Sequence, residues 1–229
     1  MEQIHLERLE LMSRTFFEGE KGEKIILALT GLLFFFLAFI VFPSGLQAEQ
    51  PHPSEVIKAF NATLLEAMKK ADELGYAGRF KLFDPVVKES FALAFMANQS
   101  AGRYWKTMKE EQRNLLLKTY IEWTVATYAG RFDGYSGERF EVTSESEPVQ
   151  GTVTVVSKFI QSSSEVIDFY YQLRRIEGRW RIVDVKISGV SQLALTRAQF
   201  TGILKEKGVD ALIAMLQEKI KGFSQSKKG

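Results

Sequence analysis

The hydrophobic period of this chain changes from helical to alternating at Asp133-Gly134-Tyr135-Ser136-Gly137, and that change constrains the fold more than any other feature. Upstream, apolar residues recur at three- and four-residue spacing; downstream they alternate. The alternation spans four segments, at about 138–147, 152–161, 165–177 and 180–188, each reading as a strand. Pro148-Val149-Gln150-Gly151, the serines 162–164 and Gly178 separate them. Connections this short join antiparallel neighbours, so the strands form a meander. In the third strand Ile167, Phe169, Tyr171 and Leu173 share one face, and Asp168, Tyr170, Gln172 and Arg174 share the other. A sheet with one apolar face must bury that face under another layer.

The upstream half supplies the layer. Ser54 reads as the N-cap of a helix to Leu74, with Val56, Phe60, Leu64, Met68, Ala71 and Leu74 as its apolar face and Gly75 as its end. Asp84-Pro85 reads as a cap and first helical position, opening a short helix to Phe91. A second short helix covers 93–99, and Gly102-Arg103-Tyr104-Trp105 makes a further turn. The longest helix covers 109–129, with Leu116, Tyr120, Trp123 and either Thr127 or Tyr128 as its ladder. After the sheet come a turn at Gly189-Val190-Ser191 and helices at 196–207 and 209–222. The expected fold is α+β: a helical part over 54–130 packed on a curved, cone-like, four-stranded antiparallel sheet over 138–188, with closing helices over 196–222. All of it forms one domain, 49–229.

The first 48 residues read differently. Ile25 to Phe42 is apolar apart from Thr30 and Gly31, with Lys21 and Lys24 before it and Leu46-Gln47-Ala48 after it. That is the layout of a secretory signal peptide cleaved after Ala48. As a helix the run spans about 27 Å, nearly a bilayer core, so an uncleaved N-terminal membrane anchor fits as well. Basic residues precede the run and only Lys58 follows closely, which places the domain outside the cytoplasm. Met12 is a second candidate initiator.

Catalytic chemistry is sharply limited. The chain has no cysteine, and its two histidines, His5 and His52, lie ahead of the folded part. A Ser-His-Asp or Cys-His relay is excluded, as is a histidine-based zinc site. Asp168 and Asp184 fall on adjacent strands near Tyr170 and Tyr171. Cone-shaped enzymes can pair an aspartate base with a tyrosine donor, so an enzyme acting on a hydrophobic substrate stays open. In the other reading Asp168 faces solvent, and Asp184 pairs with an arginine or caps the sheet edge. The glycine-rich stretch 130–137 runs helix-to-strand, the wrong order for a phosphate cradle.

The residues after Ala48 include 26 basic and 22 acidic ones, too even a balance to suggest nucleic acid. Lys158, Arg174, Arg175, Arg179, Arg181 and Lys186 make either a solvated face or a docking face for an acidic partner or anionic head groups. The 18 Phe, 7 Tyr and 3 Trp can fill a core or line an apolar cavity.

Several short motifs decide how these alternatives are weighted. They are Gly102-Arg103-Tyr104-Trp105, Glu111-Gln112-Arg113, Thr127-Tyr128-Ala129, Trp180-Arg181-Ile182-Val183-Asp184-Val185, Gly189-Val190-Ser191, and then Arg197, Phe200 and Gly208. In this order and spacing the sequence resembles the MlaC-type family of periplasmic lipid-binding proteins, also called the toluene-tolerance family, over most of the chain after Ala48. Ala77-Gly78-Arg79-Phe80, the stretch 131–140 and Gln192 to Arg197 are similar to its hopanoid-biosynthesis-associated branch, HpnM.

The resemblance implies a non-enzymatic shuttle without metal or organic cofactor. It would carry phospholipid or hopanoid across the periplasm, either soluble after cleavage or tethered by residues 25–42. Its partners would be an inner-membrane ABC transporter of the MCE type and an outer-membrane complex. The lipid tails would enter a pocket between sheet and helices. The residues expected to line it are Phe91, Phe95, Tyr120, Trp123, Val155, Phe159, Phe169, Tyr171, Val183 and Val185. A ligand-free envelope assembly factor remains a further alternative.

Overall fold

The computed structural model describes residues 51–225. The expected signal or anchor over 1–48, with His5 and Met12, lies outside these residues. Among the described residues no helix is long and apolar enough to cross a membrane.

Helix α1 (Pro53–Lys69) buries Ile57, Phe60, Asn61, Leu64, Ala67 and Met68 on one face. Ser54 is not its cap. His52 holds that position, and Pro53 stands within the first turn, where its missing N–H removes no helical bond. The Ser54 N–H instead donates to Glu145 Oε2 at 2.9 Å, tying the start of α1 to the sheet.

Helix α2 (Ala71–Ser90) corrects two expectations. The first helix ends at Lys69 rather than Leu74, and the turn at Ala71 is broken from the rest at Gly75, whose φ of 56° suits a residue without Cβ. Beyond Gly75 the helix passes through Asp84-Pro85 to Ser90 instead of starting there. Pro85 forfeits one helical hydrogen bond. The buried face of Arg79, Phe83 and Val87 spans the proline, and tertiary packing of that face outweighs the lost bond.

Helix α3 (Leu93–Ala101) and a 3₁₀ turn (Gly102–Thr107) lead to the long helix α4 (Glu110–Arg131). The strands are β1 (Arg139–Glu145), β2 (Thr152–Ile160), β3 (Val166–Ile176), β4 (Arg179–Ile187) and β5 (Val190–Ser191). They pair antiparallel in sequence order. Helices α5 (Gln192–Glu206) and α6 (Gly208–Gln225) close the chain.

The sheet has five strands, not four. Ser188 and Gly189 take φ values of 48° and 84°, the paired left-handed geometry of a two-residue hairpin. The chain therefore reverses and pairs Lys186 with Ser191 and Ile187 with Val190. Helix α5 follows at once, four residues earlier than the periodicity predicts.

Register sets which side chains face the helices. Tyr171 lies opposite both Val155 and Val185. The β3–β4 register then shifts: Gln172 opposes Asp184, but Leu173 opposes Ile182. Val183 is the extra residue of this bulge, so the place beside Leu173 that simple alternation assigns to Val183 belongs to Ile182. Val183 itself is buried. The link between α2 and α3 docks at the same point, where the Ala92 N–H donates to the Ile182 carbonyl at 2.9 Å and Phe91 bridges Ile182 in parallel.

Candidate functional site

Between the helical layer and the sheet the interior is built from aromatic rings. Phe60 of α1 is fully buried and meets Phe91 and Tyr128 at centroid distances of 5.2 Å each and Tyr171 at 6.3 Å, all edge-to-face. Tyr128 also contacts Phe83, Phe91 and, stacked at 5.9 Å, Phe132. From Phe132 the contacts continue to Phe140 and Phe159, then to Phe169, which stacks on Tyr171 at 6.0 Å. The rings thus form one connected belt. Its inner members, Phe60, Phe83, Phe91 and Tyr171, are buried, while Phe132, Phe140, Phe159 and Phe169 are half-buried. Burial pushes the Tyr171 phenol well above its ordinary range, so it stays neutral.

A hollow of about 520 Å³ reaches this belt from outside, in the range of small-molecule sites. Val56, Ala59 and Phe60 of α1, Val86 and Ser90 of α2, and Trp180 of β4 line it, with Glu55, Glu89 and Arg179 among its polar groups. Phe60, although fully buried, borders the hollow and is the hub of the inner cluster. Nearby Arg181 holds β4 to the end of α2, donating to the carbonyls of Lys88 and Glu89. The Arg175 guanidinium lies over the Trp180 ring at 5.1 Å. A second hollow, of about 460 Å³, lies between α2 and α4 and shares no lining residue with the belt. Two of its charges, Lys88 and Asp84, pair with each other at 2.7 Å.

The residues expected to line a pocket do not all gather in one place. Phe91, Phe159, Phe169 and Tyr171 belong to the belt, and Val155 and Val185 flank Tyr171 on the sheet. Tyr120 and Trp123 lie elsewhere: their rings meet each other at 5.6 Å and Phe200 of α5 at 6.1 and 6.0 Å. Burial pushes the Tyr120 phenol up to about 12. Phe95 packs on the core from α3 half-buried, and Val183 sits in the bulge.

Phe60, Tyr128, Val56, Val86 and Trp180 are absent from the sequence-based lining. The first two carried a signal, a large aromatic on the inward stripe of each long helix. Nothing in the periodicity separates such a residue from ordinary core.

The acid at the β4 turn is fully engaged. Asp184 is buried; its Oδ2 accepts from the Ser191 hydroxyl at 2.7 Å and its Oδ1 from the Leu193 N–H at 3.0 Å. Ser191 Oγ in turn accepts from the Ala194 N–H at 3.0 Å. Asp184 therefore caps α5 through Ser191, rather than pairing with an arginine. A carboxylate beside the positive end of a helix dipole is favourably placed. Asp168 lies on the next strand, half-buried and opposite Lys158.

A family model described as "MlaC protein" matches residues 58–218. The chain is 29% identical over 130 residues to the intermembrane phospholipid transport system binding protein MlaC of Haemophilus influenzae. That match covers 55% of this chain and spans 61% of the length of the relative. Among solved structures, the phospholipid-binding protein from Ralstonia solanacearum in complex with a phospholipid shares the fold, with a TM-score of 0.65 at 18% identity. The match covers 74% of this chain and 97% of that one.

Proposed function

The chain belongs to the MlaC family, and from that membership we propose that it is a lipid carrier, holding a phospholipid with its tails among the aromatic rings and its head group at the hollow over Phe60. The observation that carries this reading is the double position of Phe60, wall of an outer hollow and hub of the inner ring cluster. Admitting acyl chains means parting some of these ring contacts, each worth about 0.5–1.5 kcal/mol beyond its buried area. Burying about a dozen methylenes returns about 10 kcal/mol. The exchange favours a bound lipid without any charged anchor.

Carriage rather than catalysis also agrees with Asp184, whose two oxygens are committed to the α5 cap. The solved neighbour's bound phospholipid supports phospholipid as cargo, and the intermembrane transport role of the curated relative supports transfer between membranes. The site of action would be the periplasm, between an inner-membrane lipid transporter and an outer-membrane acceptor. A hopanoid is the alternative cargo, motivated by the motifs at 77–80 and 131–140. Native mass spectrometry of the purified protein, followed by lipid extraction, tests the reading. A bound phospholipid or hopanoid is expected. Protein that emerges lipid-free and takes up neither would overturn it.

A further inference from the structure

The apolar interior contains a polar trio with no evident packing role. Asn61, Ser157 and Tyr171 are 4%, 0% and 1% exposed. Asn61 follows Phe60 on the buried face of α1, among Ile57, Phe60, Leu64 and Ala67. Ser157 lies on the inward side of β2, opposite Phe169, and Tyr171 stands on β3 opposite Val155. Asn61 Nδ2 donates to Ser157 Oγ at 2.8 Å, and the Tyr171 hydroxyl donates to Asn61 Oδ1 at 3.5 Å. The first is a good hydrogen bond; the second is at the far limit of one. A primary amide offers two N–H donors and an oxygen with two lone pairs. Here one N–H is well used and the oxygen is poorly used. In a dry interior unfilled capacity of this kind is unfavourable, and an apolar side chain of similar size would avoid it.

The location suggests what fills the remaining capacity. Phe60 walls the hollow on one side and meets the Tyr171 ring edge-on at 6.3 Å on the other. A molecule that displaces the Phe60 ring reaches Tyr171 and the Asn61 amide next. We infer that the trio reads a neutral acceptor oxygen of the bound lipid, the ester carbonyl between head group and tails, through the second N–H of Asn61. The inference rests on the lipid-carrier reading and deepens it. Asn61 is the assigned donor because one of its two N–H groups is unused within the trio; the Ser157 hydroxyl is the competing donor, which Ser157→Ala removes.

The test compares a diester glycerophospholipid with its diether counterpart, identical in chains and head group but lacking the carbonyls. Binding of each to the delipidated full chain is measured by native mass spectrometry titration. The wild-type protein should prefer the diester by roughly five-fold, the worth of one neutral hydrogen bond. Asn61→Leu should bind both lipids without preference. Ser157→Ala should keep the preference, because it releases an amide N–H rather than removing one. Equal affinity of the wild type for the two lipids overturns the inference, as does a preference that survives Asn61→Leu. Should Asn61→Leu fail to fold, Asn61→Ala carries the same comparison. Binding of neither lipid by the wild type strikes the carrier reading itself, a separate outcome.

Discussion

The two aromatic clusters use the same kinds of residue to different ends. Around Phe60 the rings lie beside an outer hollow, include the polar Asn61–Ser157–Tyr171 group, and grade outward into half-buried members. Around Phe200 the rings of Tyr120 and Trp123 are clamped by α5 and α6, whose Phe200, Leu212 and Leu216 are fully buried. The clamp is pinned at one end by Asp184 and Ser191. At the other end Phe223 approaches Gly130 so closely that a Cβ there would lie 2.3 Å from its ring. Aromatic content alone therefore does not make a ligand site. A hollow beside the rings and a hydrogen-bonded polar trio among them mark the central cluster.

Paired truncations probe that contrast most strongly. Phe200→Ala should lose about 3–5 kcal/mol of stability, since the ring is fully buried against Tyr120 and Trp123. Phe60→Ala removes an equally buried ring, but the space it vacates joins an existing hollow that water or lipid can occupy. Its loss should be less than half as large, with lipid uptake retained or increased. Chemical denaturation of both variants decides this; equal losses would erase the distinction.

Alkaline pH gives the next largest effect. Burial raises the Tyr120 phenol from 10.0 to about 12, so the folded state favours the neutral form. That stabilisation is full below pH 10 and is lost as pH rises from there through about 12, a fall of about 2–3 kcal/mol. Tyr120→Phe should flatten that part of the decline in urea unfolding measured from pH 8 upward, leaving the shares of Tyr128 and Tyr171, whose phenols burial also raises. An unchanged decline would mean that Tyr120 ionises without cost.

Two glycine substitutions sharpen the picture of the clamp. Gly130→Ala drives a methyl into the Phe223 ring and should cost about 1–3 kcal/mol, seen as a lower melting temperature. Gly202→Ala, within α5 and with nothing inside 4 Å of the new Cβ, should instead stabilise by about 0.5–1 kcal/mol. If Gly130→Ala stabilises as Gly202→Ala is expected to, the Gly130–Phe223 approach is not tight.

Much of the architecture was legible because it rests on local periodicity. The four long strands and the long helix α4 lie within two residues of the positions expected from alternation and from the Leu116–Tyr120–Trp123 ladder. The errors arose where a local signal met a tertiary one. Asp84-Pro85 carries a helix-start signal, yet the packed face of Phe83 and Val87 draws the helix through it. Strand parity made Val183 the neighbour of Val185, but the bulge gives Ile182 the place opposite Leu173. Tyr120 and Trp123 were correctly read as a ladder on α4, but the sequence carried no signal that Phe200 would cover them.

By itself the sequence determined the class of the fold and most of the element boundaries, because hydrophobic period and turn chemistry act over a few residues. It also excluded cysteine chemistry and any relay of two histidines, because among the described residues the one histidine is His52, at the N-cap of α1. Only the tertiary structure decided which rings surround Phe60, where the hollow reaches them, and that Asp184 is bound into a helix cap. These depend on the β4 bulge and on how α1, α2 and α5 dock against the sheet, relations between segments far apart in the chain that no local pattern encodes.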